Sequence, residues 1–354
     1  MRILLVITRS CLGGAQSVLM NIANTLCNEH SVAVAAGIDD GEEASLLWQS
    51  LDPAVRTYRV EPLVKRLNPI KDFKAAIELR KIYKDFQPDV IHLHSSKIGV
   101  LGRIVFPPRK IIYTVHGFDS IRIANRKYLP IEKALQKRCR FIVGVSQYDC
   151  DNLKNEGISN HVELVYNGLN IKIEEGLIPP KGFSKDKKNI VCIARLSPQK
   201  NHFLFVEIAK QLREYNFIWI GNLGPVDIPV TENCHFIGNL MNAGAYCKFA
   251  QLFLLTSNYE GLPMTIIEAM SQGLPIVSSD VGGIKEIVKN GENGFAVPNQ
   301  AEIFVEKICY ILENESVYSK MSKESQAIYT GYLTVDKMVS SYYNLYCKIA
   351  NITN

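Results

Sequence analysis

Residues 252 to 273 read LFLLTSNYEGLPMTIIEAMSQG. Leu252 to Leu255 form a short apolar run of the kind that fills a parallel strand covered on both faces. A loop follows, placing Glu260 at the carboxyl rim of the sheet, where open α/β sheets bind their ligands. Pro263 suits the first turn of a helix, because its missing N–H is unpaired there in any case. Glu268 then falls inside that helix between Ile267 and Met270. A carboxylate in so apolar a stretch is costly if buried alone, so it calls for hydroxyl or cationic partners.

The same alternation of short apolar runs and helical patterns extends in both directions, which is the pattern of parallel sheets sandwiched by helices. Ahead of it lie Ile3 to Thr8, Val32 to Ala36, Val90 to Leu93, Ile111 to Val115 and Phe141 to Val145, then Ile190 to Ala194 and Phe217 to Ile220. Behind it come Ile276 to Ser278 and Phe295 to Val297. Val18, Leu19, Ile22 and Leu26 keep one face of the first helix apolar. The run LNIKIEEGLIPPKGFSKDKK, with its Pro-Pro pair and charge cluster, interrupts the alternation as a linker would. The reading is α/β, two Rossmann-like doubly wound domains. Residues 1–170 form the first, 171–188 the linker and 189–333 the second, and 334–354 a closing helix whose stripe of Met338, Tyr342, Tyr346 and Ile349 needs cover.

Length and composition agree: 354 residues exceed one ordinary core, and 47% apolar with 21% charged residues is globular. A net charge of +5 suits anionic ligands and requires no nucleic-acid partner. Arg122, Arg126, Lys127, Lys133, Lys137, Arg138 and Arg140 form a local basic segment, to be weighed as a solvated helix face against a docking site for an anionic membrane or lipid diphosphate. Nine scattered cysteines without a C-x-x-C pair, an N-terminus that begins as a strand, and the lack of any apolar run near 18 residues suggest a reduced cytoplasmic setting, with peripheral docking at the inner face of the membrane an open expectation.

Further motifs cluster at strand ends. The first strand ends in SCLGGAQ, so Gly13 and Gly14 stand at a strand-to-helix turn suited to an anion or to tight packing. His116 follows the strand Ile111 to Val115, where it could bond a sugar hydroxyl or serve structure; His92 and His94 share one strand face and lack a third metal ligand. Arg195 and Lys200 follow the strand NIVCIA ahead of a helix start, an arrangement to be weighed as a diphosphate clamp against ordinary surface cations. The D-x-D at Asp149 to Asp151 reads as helix-start solubility and not as a metal site, so no metal and no cofactor are expected.

At this point the chain resembles glycosyltransferase family 4, retaining enzymes of GT-B fold with an E-x7-E motif, here Glu260 to Glu268. The match runs in order through GGAQ (13–16), HG (116–117), VSQ (145–147), YNG (166–168), ARLSPQKN (194–201), SNYEGLP (257–263), EAM (268–270) and GLP (273–275). The resemblance implies two domains facing each other across a donor-binding cleft. It implies that Arg195 and Lys200 bind the donor diphosphate, Glu268 the ribose hydroxyls, and Glu260 with the amides of Gly261 and Leu262 the transferred sugar or adjacent phosphate. His116 would contact the sugar near its reacting face, Gly14 would lie close to the diphosphate or acceptor, and Asn167 would stand at the domain junction. The closing helix would return to the N-terminal domain.

The implied activity is front-face transfer, with retention, of a hexose or N-acetylhexosamine from a nucleotide sugar to a glycan or lipid-linked saccharide, in bacterial surface-polysaccharide assembly. A UDP-sugar co-substrate is expected ahead of GDP-mannose. The alternatives are a nucleotide-sugar 2-epimerase of the same fold and a non-catalytic nucleotide-sugar-binding protein.

Overall fold

A computed structural model describes residues 1–11, 13–38, 46–224, 226 and 228–351. Leu12 of the SCLGGAQ turn and the last three residues of the 334–354 segment lie outside the described residues. The chain divides into two compact units, Met1–Gly168 with Val335–Asn354, and Leu169–Thr334.

Among the described residues the first unit holds seven strands: β1 (Arg2–Ile7), β2 (Ser31–Ala36), β3 (Arg56–Arg59), β4 (Val90–His94), β5 (Ile111–Val115), β6 (Phe141–Gly144) and β7 (Val162–Leu164). They form one sheet in the order β3-β2-β1-β4-β5-β6-β7, every pairing parallel. The second unit holds β8 (Asn189–Ile193), β9 (Asn216–Ile220), β10 (Cys234–Phe236), β11 (Leu252–Leu255), β12 (Ile276–Ser279) and β13 (Gly294–Val297), also all parallel, in the order β10-β9-β8-β11-β12-β13. In both sheets the strand order reverses once, between β1 and β4 and between β8 and β11. Chain connections leave in opposite directions at that point, and a crevice opens beyond the carboxyl ends of the strands.

Burial explains why the strands read as apolar runs: β4, β5, β8 and β11 are buried along their whole length. The helix Gly14–Leu26 buries Val18, Leu19, Ile22, Ala23 and Leu26, each of the larger side chains contributing about 1.5–3 kcal/mol relative to exposure. The segment 171–188, read as a linker, belongs to the second unit, where Gly182 and Ser184 hydrogen-bond the side chains of Asn216 and Asn189.

The helix Val335–Ala350 belongs to the first unit and buries Met338, Tyr342, Leu345 and Tyr346. Its two buried tyrosines end in a polar chain inside the sheet: the Tyr346 hydroxyl is 2.6 Å from His92 Nδ1, His92 Nε2 is 2.7 Å from Thr114 Oγ1, and Thr114 Oγ1 is 3.2 Å from the Tyr342 hydroxyl. All four residues are buried, so each bond satisfies a group that water cannot reach. Replacing Tyr346 with Phe strands His92 Nδ1; we expect a loss of about 1–3 kcal/mol and a lower urea midpoint at unchanged slope. An unchanged midpoint would mean that this chain does not hold the helix.

Candidate functional site

The switch point of the second sheet gathers the charged residues singled out in the sequence. Arg195 and Lys200 follow β8, and Ser257 and Glu260 follow its hydrogen-bonded neighbour β11. Lys200 Nζ donates to Glu260 Oε1, and Ser257 Oγ donates to the same oxygen over 2.6 Å. Glu260 is buried, Lys200 half-buried and Arg195 exposed, with no ion-pair partner for Arg195 among the described residues. The two loops are laced together by Asn258 N to Gln199 O (2.7 Å), Gln199 Nε2 to Tyr259 O (2.9 Å), Asn258 Nδ2 to Pro198 O (2.8 Å), and Thr256 Oγ1 to the Lys200 carbonyl (3.1 Å). A cation held by such a lattice needs little reorganisation to meet an anion.

The Glu260 loop is also closed from β12. Gly282 has φ +59°, and a Cβ there would come within 2.0 Å of the Glu260 carbonyl, while Gly283 N donates to Gly261 O at 2.9 Å. Only glycine fits this approach. The helix Met264–Ser271 begins just after Pro263, which stands one position earlier than the first-turn placement read from sequence. It carries no side-chain cap and no acid in its first turn; the Ile266 amide bonds back to the Pro263 carbonyl at 3.2 Å, which leaves the Met264 and Thr265 amides for a ligand.

Glu268 lies in that helix, half-buried, with no ion pair or side-chain hydrogen bond among the described residues. Burial pushes its carboxyl pKa up to about 7. Its stem is pressed by Gly244, where a Cβ would approach Glu268 Cβ and Cγ to 3.0 Å and Ile171 Cδ1 to 2.6 Å. Gly244 carried no signal in the sequence. It matters only because another helical side chain needs its space.

In the first unit, His116 extends β5 and His94 ends β4. His94 Nδ1 and His116 Nε2 lie 3.0 Å apart, and the His94 and His92 rings meet at a 38° tilt with 3.9 Å between centroids. Burial drives His116 down to about 4 and holds His92 and His94 well below the usual imidazole range. All three are therefore neutral hydrogen-bonding groups near pH 7. His94 Nε2 is buried without a partner. Gly117, at φ +93°, turns the chain after His116, and Asp149 Oδ1 accepts Phe118 N at 2.7 Å.

That last bond corrects one expectation. Asp149 is buried and braces the His116 loop while Ser146 caps its helix; it is not a solvated helix-start acid, because its two oxygens replace water with Phe118 N and Ser146 Oγ. Asp151 alone fits that description, exposed and bonded to Gln147 Nε2. Among the described residues no group of three or more His, Cys, Asp or Glu side chains is arranged to hold a metal ion.

Gly13 and Gly14 are exposed at the start of the helix Gly14–Leu26, which has neither side-chain cap nor first-turn acid. Asn167 is buried at the end of the unit. Sequence reasoning missed Ser95, beside this turn across the β1–β4 switch point. It adopts φ +86°, ψ +152°, a region that costs a non-glycine residue about 1–3 kcal/mol, and its hydroxyl is 2.8 Å from Thr8 Oγ1. A serine in HLHSS gives no sign of that backbone.

Comparison with known proteins gives the same picture. Residues 12–172 match the family described as Glycosyltransferase Family 4, and residues 174–328 match Glycosyl transferases group 1. An Escherichia coli protein named UDP-Gal:alpha-D-GlcNAc-diphosphoundecaprenol alpha-1,3-galactosyltransferase is 28% identical over 86% of this chain and 87% of its own length. A Campylobacter jejuni N-acetylgalactosaminyltransferase, named for an undecaprenol-diphosphate-linked acceptor, is 27% identical over 90% and 91%. Among solved structures, Anabaena HepE in complex with UDP-glucose superposes with a TM-score of 0.81 at 20% identity, covering 98% of this chain and all of that one. Two successive family matches across nearly the whole sequence, on two parallel-sheet α/β units, identify the chain as a member of glycosyltransferase family 4 with the GT-B fold.

Proposed function

We propose that the protein transfers a hexose or N-acetylhexosamine, with retention, from a UDP-sugar to a lipid-linked saccharide during assembly of a bacterial surface polysaccharide. The observation that carries this reading is the pair Lys200–Glu260, with Arg195 on the same loop as Lys200, beyond the β8 and β11 ends at the switch point of the second sheet. The difficult step in such a transfer is charge build-up on the departing diphosphate. Arg195, Lys200 and the uncapped amides of the helix Met264–Ser271 answer it electrostatically, with no covalent nucleophile and no metal required by the proposal.

Glu260, with the Gly261 and Leu262 amides, would hold Lys200 in place and meet the transferred sugar or its phosphate. Glu268, half-buried and with no side-chain hydrogen bond or ion pair among the described residues, would accept the ribose hydroxyls, which relieve its desolvation. In the first unit, neutral His116 would bond the sugar, with Gly14 close to diphosphate or acceptor; Asn167 lies at the edge of that unit. The acceptor class follows the two relatives, both named for undecaprenol-diphosphate-linked saccharides, and the donor class follows the UDP in the first of those names.

Substituting Arg195 and Lys200 together with Ala is expected to lower kcat/KM by at least about 10²- to 10³-fold and to abolish the rise in Tm given by UDP, with the circular dichroism unchanged. Turnover at the wild-type rate would end the proposal. Turnover by the unaltered enzyme should survive excess chelator, and donor incubated alone should yield slow hydrolysis and no epimerised sugar.

Glu268 gives a pH test. Its pKa in the folded state lies above the ordinary value, so its contribution to stability is complete below about pH 4.5 and is lost as pH rises to about 7. Glu268→Gln should therefore raise the Tm of the unliganded protein more at pH 8 than at pH 5, while UDP stabilises the variant less than the wild type. A variant that loses Tm at pH 8, or keeps the full UDP shift, would contradict the role given to Glu268.

A further inference from the structure

The helix Pro69–Phe86 is apolar on two faces. Ala75, Leu79, Ile82 and Phe86 enter the core of the first unit. About half a turn round the helix, Ile70 and Phe73 are 71% and 69% exposed, joined by Ile77 and, just ahead of the helix, by Leu67 at 66%. Large apolar side chains standing this far into water in one stripe cost free energy unless something covers them.

Charge says what covers them. Residues 65 to 84 carry seven cations against two acids, an excess equal to the +5 of the whole chain. Lys65, Arg66, Lys71, Lys74, Arg80, Lys81 and Lys84 are all exposed and form no ion pair among the described residues. Asp72, one of the two acids, is drawn away from the stripe by Lys97 at 2.6 Å. The basic segment 122–140 is less free: Arg122 pairs with Asp119, and Arg126 and Lys133 both pair with Glu156.

We infer that the Leu67–Ile77 stripe with its ring of cations seats the first unit on an anionic lipid surface. The apolar side chains enter the headgroup boundary, and the lysines and arginines reach the phosphates with their stems along the apolar surface. The position is functional as well as suitable. Lys97, three residues beyond His94, donates to the carbonyls of Val64 and Arg66 at 2.6 Å each, tying the stripe to the helix that starts at the β4 rim. An acceptor anchored in the same bilayer would thus be presented to the rim carrying His94 and His116. The inference rests on the proposed function only for that acceptor.

The test is sedimentation of the full chain with phosphatidylglycerol vesicles and with phosphatidylcholine vesicles, alongside the Tm shift given by UDP. The wild type should pellet with the former and not the latter. Ile70→Ser with Phe73→Ser, and separately Lys71→Gln with Lys74→Gln, should each weaken vesicle binding by about tenfold or more while leaving the UDP shift unchanged. The inference is overturned if the wild type stays in the supernatant or if the substituted proteins pellet equally well. It is also overturned if the wild type is a dimer that Ile70→Ser with Phe73→Ser turns into a vesicle-indifferent monomer, since a second copy then covers the stripe. Loss of the UDP shift in the wild type would count against the donor reading alone, because sedimentation does not depend on it.

Discussion

The parallel pairing of β8 with β11 is the constraint on which the candidate donor site depends. Ile190 faces Leu252 and Val191 faces Phe253, so the loops that leave the two strands emerge side by side. Lys200 and Glu260, sixty positions apart in the chain, become hydrogen-bonded neighbours only through that register. Had the two strands lain apart in the sheet, Lys200 would be a solvated surface lysine and Glu260 a buried carboxylate lacking its cation. The hydrogen bonds among Gln199, Asn258 and Tyr259, and the glycine at position 282, fix the same geometry from outside. A site whose charges are already oriented can stabilise a departing anion without first paying to order itself.

The first unit works by the opposite means. Its rim carries the neutral imidazoles of His94 and His116, with His92 buried within the strand beneath them, because burial withholds the proton that a surface histidine would take up. Neutral rings donate and accept hydrogen bonds without attracting or repelling phosphate. The helix Val335–Ala350 adds Tyr342 and Tyr346 beneath those rings, so it helps to fix groups on β4 and β5. The buried polar chain that holds this helix reaches the rim through His92, whose ring lies 3.9 Å from that of His94.

How much of this was legible in the sequence depended on burial. Strands covered on both faces, such as RILLVI and IIYTV, spell themselves as apolar runs and were read. β3 is RTYR and largely exposed, β7 is only VEL, and β10 is CHF; none has an apolar run to betray it, and all three were missed. The charged residues of the E-x7-E stretch and of ARLSPQKN were visible because they interrupt apolar text at strand ends. What sequence could not give was their pairing: Ser257 on Glu260, Asp149 on Phe118 N, Gly244 against Glu268, and the backbone of Ser95 are relations between distant or unremarked residues. The outer stripe of Pro69–Phe86 was equally silent, since an apolar residue in a helix is read as core until its exposure is known.

The most direct measurement is an experimental structure of the protein with UDP bound. Diphosphate oxygens are expected within about 3 Å of Lys200 Nζ and the Arg195 guanidinium, and the ribose hydroxyls on the Glu268 carboxylate. UDP bound away from the β8 and β11 rim, or held there with both cations turned aside, would contradict this placement.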